Sequence, residues 1–306
     1  MKFNFLSRVK HAKLQMDKTK PSSGNLKNLK AYLLLTPTIL FELILFALPL
    51  VLVLIYSFSR VDALGRVTFE FTLENYAKVF TVEFVRIIFR TFALAIVSTL
   101  LCLVIGYPIA YYIGFKERKH QNLLLMMIII PFWLSFVART YSIISIFSSN
   151  GILNQFLSLL GFVKDKPQWL YNWYSVMVGM IYNYLPMIVL PIYASVEKLD
   201  PSLIEAAESL GADKMNVFLK VTLPLTLPGI FAGCILVFIP SIGEFLVPEL
   251  LGGIEWYMMG NYLWTVFLTI GNYAFGSALS IVLIGIVAVF IFIYSKYFSK
   301  EVELGI

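Results

Sequence analysis

The sequence predicts an all-α integral membrane protein with six transmembrane helices, and three observations carry that expectation. Of 306 residues, 59% are hydrophobic and 14% charged, whereas a soluble domain carries roughly 25% charged residues; the mean hydropathy is +0.82. Apolar runs occur at about 33–58, 91–113, 123–147, 174–196, 226–248 and 275–295, each meeting the roughly 20 residues needed to cross the hydrocarbon core as a helix. In lipid such runs must be helical, because every unpaired backbone amide is costly there.

Taken in order, residues 1–30 read as a basic tail, in which Phe3, Leu6 and Val9 are spaced for a short interfacial helix. The polar stretch before the first run argues against a cleavable signal. A single membrane domain then covers 31–300, with a polar loop at about 197–225, and 301–306 form a second tail. The loop at 60–90 alternates charge with Phe69, Phe71, Tyr76 and Phe80, a pattern suited to the membrane surface. Prolines at 37, 49, 108, 131, 186, 191, 228, 240 and 248 fall within or at the ends of the runs and imply kinks.

Lys and Arg orient the chain. With the N-terminus inside, sixteen fall on its side, seven on the other, and Arg139 alone lies within a run. An excess of basic residues marks the cytoplasmic face, so both termini and the 197–225 loop are expected there. The net charge of +6 is then a topology signal, and the bilayer, not nucleic acid, is the expected partner.

Enzymatic chemistry has little to work with. Cys102 and Cys234 lie inside apolar runs, and His11 and His120 sit among basic residues. Neither a disulfide framework nor a metal cluster is expected, and the loops are too short for a catalytic domain.

The polar loop is the informative stretch. Leu203, Ile204, Ala207 and Leu210 mark one side of a short helix beginning near Pro201, with Glu205 and Glu208 offset from it. Ala206 and Ala207 keep its surface low. Gly211 suits a helix end that needs a left-handed residue, and Pro224 and Pro228 mark the return to the membrane. The residues alone leave two readings, an ordinary loop helix or a handle held by a soluble partner.

Glu205-Ala206-Ala207, three residues, Gly211, nine residues, then Val221-Thr222-Leu223-Pro224 resembles the signature cytoplasmic loop of ABC importer permease subunits. The likeness is to the spermidine/putrescine branch in particular. Pro131-Phe132-Trp133, Arg139-Thr140-Tyr141, Tyr184-Leu185-Pro186, Gly243-Glu244-Phe245, Pro248-Glu249-Leu250-Leu251-Gly252-Gly253 and Gly260-Asn261 all contribute to it. It covers roughly 30–300 and leaves the first thirty residues unmatched.

The resemblance implies a type I ABC importer permease fold in the inner or plasma membrane of a bacterium. It implies a coupling helix between the fourth and fifth spans, in which Glu205, Ala206, Ala207, Glu208, Leu210, Gly211 and Pro224 dock an ABC ATPase dimer. A second permease, a different chain, and an extracytoplasmic binding protein complete the implied assembly. No phosphate-binding Gly-x-x-x-x-Gly-Lys-Ser/Thr pattern occurs in the sequence. No cofactor is therefore expected on this chain, with ATP and Mg on the partner ATPase.

Substrate-path candidates follow from charge at membrane depth. Glu42 lies about nine residues into the first run, roughly 14 Å deep, and suits a structural partner inside the bundle better than a path residue. Arg139 is expected near the outer interface, snorkelling or closing an ion pair. Glu244 and Glu249 lie between helix-breaking prolines and a glycine near the outer end of the fifth run, and broken helices at membrane depth line cavities. Trp133, Tyr182 and Tyr184 offer aromatic faces to a cation. The alternative for both acids is capping or structural pairing. Two other transport readings stay open, the same fold carrying another solute, and an ATP-independent secondary transporter.

Overall fold

The computed structural model describes residues 35–62, 66–162 and 167–303; the N-terminal tail expected at 1–30 lies outside them. The chain divides into two compact units, Met1–Ile55 and Tyr56–Ile306. The first run forms α1, Leu35–Ser57, which is interrupted by a π-helical turn at Leu43–Ala47.

In the second unit, the 60–90 stretch is partly ordered by pairing. Arg60–Val61 (β1) pairs antiparallel with Val67–Thr68 (β2), a two-stranded exception to the all-helical expectation. Asn75 Nδ2 donates to the carbonyls of Ser57 and Ser59 at 3.3 and 2.8 Å, anchoring the short helix α2, Glu74–Val79. Phe58 stacks on Phe71, whose ring is otherwise exposed. The next helix, α3, begins at Val82 and runs to Gly114, so Arg86 and Arg90 belong to a helix and not to a loop. Apolar runs mark the hydrocarbon layer, and a helix extends beyond it.

The third run is not one straight rod. α4, Arg118–Ile129, passes through a 3₁₀ turn at Ile130–Trp133. α5, Phe136–Phe147, and α6, Ile152–Leu159, then continue on the far side of a 92° bend. Pro131 lacks the amide that would continue the ladder, and Leu134 and Ser135 take extended backbone angles.

α7, Trp173–Val196, starts at an Asn172 cap that accepts the Ser175 N–H. α8 spans Pro201–Ser209. α9, Lys214–Val217, leads through a π turn at Phe218–Thr222 into α10, Leu223–Ile242. The fifth run thus stops being a single helix at Ile242, six residues before its expected end. Beyond it come a π turn at Pro248–Gly252, a 3₁₀ turn at Ile254–Trp256 and α11, Met259–Trp264. A further π turn at Thr265–Thr269 precedes the last helix, α12, Tyr273–Glu303.

The core is built on α3, α7 and α10. Its backbones come close where side chains vanish. A β-carbon on Gly233 would stand 2.8 Å from an Ile188 side-chain atom, and one on Gly229 would meet the Pro191 carbonyl at 2.5 Å. Small residues at such crossings allow helices to pack without a hydrophobic driving force between them.

Candidate functional site

Two groups of residues lie towards opposite ends of α10, a helix of 20 residues and hence about 30 Å long.

At its start is α8. Asp200 accepts the Ser202 N–H at 2.9 Å, Pro201 fills the first helical position, and the two together set the N-terminus. The Ser202 donors hold the Asp200 carboxyl below its ordinary value. At the other end Gly211 adopts φ +86°. Its N–H donates to Glu208 O at 2.9 Å, and the Ala212 N–H donates to Ala207 O at 3.1 Å. That pair of bonds is a Schellman cap. α8 is therefore finished at both ends, yet none of its residues is buried. Leu203 is 47% exposed, and Leu210, just past its end, 89%. Glu205, Ala206 and Glu208 are also exposed, while Ala207 and Ile204 are half-covered.

From α8 the chain enters the core through aromatic rings. Phe218, in the π turn, meets Tyr107 edge-on at 5.7 Å and Tyr111 at 6.1 Å. Tyr107 also hydrogen-bonds Thr226 at 3.0 Å. Phe218 thus joins the segment that follows α8 to α3. Sequence reasoning missed this cluster; its signal was Tyr107, Tyr111 and Phe115 at four-residue spacing on one helix face.

The far group centres on Glu244, which is 6% exposed. Its Oε1 accepts the N–H groups of Leu246 and Val247 at 2.9 and 3.2 Å, and its Oε2 accepts the Tyr184 hydroxyl. Tyr184 is eleven residues into α7, about 16 Å along a 24-residue helix. The carboxylate therefore stands near the middle of α7, and the chain past it continues towards the start of α7: a β-carbon on Gly179 would meet Val247 and Leu251, and Leu251 O accepts the Tyr171 N–H. Glu244 lines a cavity of about 350 Å³ together with Phe136, Pro240 and Phe245. Glu249 is exposed and accepts from Asn261 Nδ2 at 2.8 Å, while the same amide donates to Phe245 O. Both acids thus carry structural hydrogen bonds, and Glu244 also borders open space.

The remaining candidates are dispersed. Trp133 is 79% exposed at the bend, and Tyr182 is also exposed. Glu42 is exposed on α1, immediately before its π turn. Arg139 departs from expectation. It is 5% exposed and, among the described residues, has no carboxylate within ion-pair reach. Its guanidinium lies 4.3 and 5.5 Å from the Phe132 and Phe136 ring centres, and Nη1 donates to Asn183 O at 3.5 Å. The 92° bend turns Arg139 inward against α7, so it cannot snorkel.

Comparison with known proteins agrees with this architecture. Residues 106–298 match the family described as binding-protein-dependent transport system inner membrane component. The spermidine/putrescine transport system permease protein PotB of Escherichia coli is 37% identical over 271 residues, covering 87% of this chain and 98% of that protein. The protein of the same description in Haemophilus influenzae is 37% identical over 275 residues, covering 88% and 96%. Among solved structures, a bacterial ABC transporter involved in the import of the acidic polysaccharide alginate aligns with a TM-score of 0.72 at 20% identity, covering 90% of this chain and 96% of that one. The chain is a multi-pass membrane protein and belongs to the binding-protein-dependent transport system inner membrane component family.

Proposed function

We propose that this chain is a membrane-spanning subunit of an ABC importer that admits polyamines to the cytoplasm by alternating access. Its relatives are described as spermidine/putrescine permeases, and a buried carboxylate beside a cavity is the group an ammonium substrate needs. The observation that carries the coupling part is α8, capped at both ends yet with none of its residues buried among the described residues. A separate ATPase dimer docks there through Glu205, Ala206, Ala207, Glu208, Leu210 and Gly211. The termini and α8 face the cytoplasm, a second permease chain completes the pathway, and an extracytoplasmic binding protein delivers substrate.

In this mechanism nothing is altered chemically in the subunit. Closure of the ATPase pair presses α8, Phe218 transmits the push to Tyr107 and Tyr111, and α10 carries it to the Glu244 region. Glu244 attracts the ammonium group, Tyr184 hydrogen-bonds its carboxylate and Glu249 adds negative charge, while Trp133 and Tyr182, which lie apart from this cavity, offer aromatic faces elsewhere on the path. A few kcal/mol of differential contact between states suffices to reverse their populations.

The test is uptake of labelled spermidine and putrescine in cells lacking the chain and in cells supplied with it, with co-purification of the ATPase. Uptake restored by the chain, with an ATPase attached, supports the proposal. An attached ATPase with uptake of a different solute overturns the polyamine assignment alone, and uptake without any ATPase would mean a secondary transporter.

A further inference from the structure

The turn joining α3 to α4 is strongly basic. Lys116, Arg118, Lys119 and His120 are all exposed there, against one acid, Glu117, which reaches His120 at 3.6 Å. α4 starts at Glu117 with no side-chain cap, so the positive end of its dipole adds to the field.

Directly below the turn lies an apolar groove of about 360 Å³, in which Ile109, Tyr112 and Ile113 of α3 face Leu124, Met127 and Ile128 of α4. Tyr112 joins the two features, since the Lys116 ammonium sits 4.5 Å from its ring centre. Met127 is nine residues beyond Arg118, about 14 Å along the helix. Counted from the start of the apolar run at about 123, Met127 lies about 6 Å into a hydrocarbon core of roughly 30 Å, so the groove stays within one leaflet.

We propose that this groove is a binding site for an anionic phospholipid, with an acyl chain between α3 and α4 and the phosphate on Lys116, Lys119 and the first turn of α4. A protein helix laid in the groove would fill its apolar part but leave the cations at its mouth without a counter-charge. A zwitterionic lipid would fill the groove and gain less from the turn. A lipid so placed braces α3 on the side opposite Phe218: Tyr111 faces the aromatic cluster while Tyr112 faces the groove.

The test uses the full chain in its native assembly, exchanged into mixed micelles containing phosphatidylglycerol or phosphatidylcholine and examined by native mass spectrometry. Phosphatidylglycerol is expected to be retained preferentially. Removing two charges by K116Q with K119Q is expected to weaken that retention on the order of thirtyfold, with phosphatidylcholine unaffected. Ile109→Trp, which fills the groove, should weaken both lipids. Should that variant fail to fold, Met127→Cys bearing a photo-crosslinker supplies the second reading, with adducts to phosphatidylglycerol expected. Equal retention of the two lipids, no response to the double substitution, or crosslinks from position 127 to another polypeptide would each overturn the proposal.

Discussion

Gly211 gives the sharpest access to the coupling mechanism. Its φ of +86° belongs to the left-handed region, which costs a residue bearing a β-carbon roughly 1–2 kcal/mol. No atom lies within 4 Å of a β-carbon added there, so a replacement is penalised through the backbone and not by collision. If the cap unwinds instead, the Gly211–Glu208 and Ala212–Ala207 bonds are lost, at about 0.5–1.5 kcal/mol each. α8 is nine residues long, and helices that short are marginal unaided. Yet none of its residues is buried, so the membrane core should not feel the change. Substitution by Asn, Ala and Val should therefore lower uptake in that order, with Ala costing about 5–30-fold in the coupling-competent population, while the amount of protein in the membrane stays constant. The assays are labelled polyamine uptake, immunoblotting of membranes and co-purification with the ATPase. Wild-type uptake by Gly211→Val with the ATPase still attached would refute the assignment of α8 as the coupling helix. So would equal defects in all three variants, because the cause would then not be the backbone.

Further outcomes follow from other contacts. Glu244→Gln keeps a carbonyl acceptor for the amides of Leu246 and Val247 but removes the charge, so it should raise the transport KM several-fold with ATPase coupling intact. Glu244→Ala strands those amides and should also lower thermal stability, by about 1–3 kcal/mol for each unsatisfied group. Unchanged uptake kinetics for Glu244→Gln would remove it from the substrate path. Phe218→Ala should reduce uptake while leaving the ATPase bound, and a double-mutant cycle with Tyr107→Ala should show about 0.5–1.5 kcal/mol of coupling; strict additivity would break the transmission route. Gly229→Ala must move the Pro191 carbonyl and should cost about 1–3 kcal/mol, read as a lower unfolding temperature in detergent. The Asp200 carboxyl titrates below its ordinary value, so its cap is complete above the unfolded pKa, about 3.9, and is lost as pH falls through the lowered folded value. Protection factors in α8, that is exchange rates corrected for their intrinsic rise with pH, should accordingly be flat between pH 5 and 8 for the native chain and lower throughout for Asp200→Ala.

The membrane-spanning runs were legible because hydrophobicity is a property of a run and needs no partner. Gly211 was legible for the same reason, since a helix end writes its own signature locally. What escaped detection depended on distance along the chain. Nothing near Glu244 announces Tyr184, sixty positions away, or that the helix break after Ile242 leaves the carboxylate beside the middle of α7. Arg139 was misplaced because counting residues into a run assumes a straight rod, and the break at Leu134–Ser135 removes that assumption. In the sequence Phe218 is one aromatic among many, and only the π turn sets it between Tyr107 and Tyr111.

The widened turn at Phe218–Thr222 has an evolutionary corollary. Such a turn holds one residue more than ordinary helix does over the same rotation, so deleting Leu219 would let it revert to ordinary pitch with α8 and α9 in nearly the same angular position, whereas the same deletion from uniform helix would swing them by about 100°. The widened turn is thus a slot that absorbs a single inserted amino acid without disturbing the angular phase between the outer handle and the inner rod. Lineages that gain or lose it should need no compensating change on the surface that meets the handle.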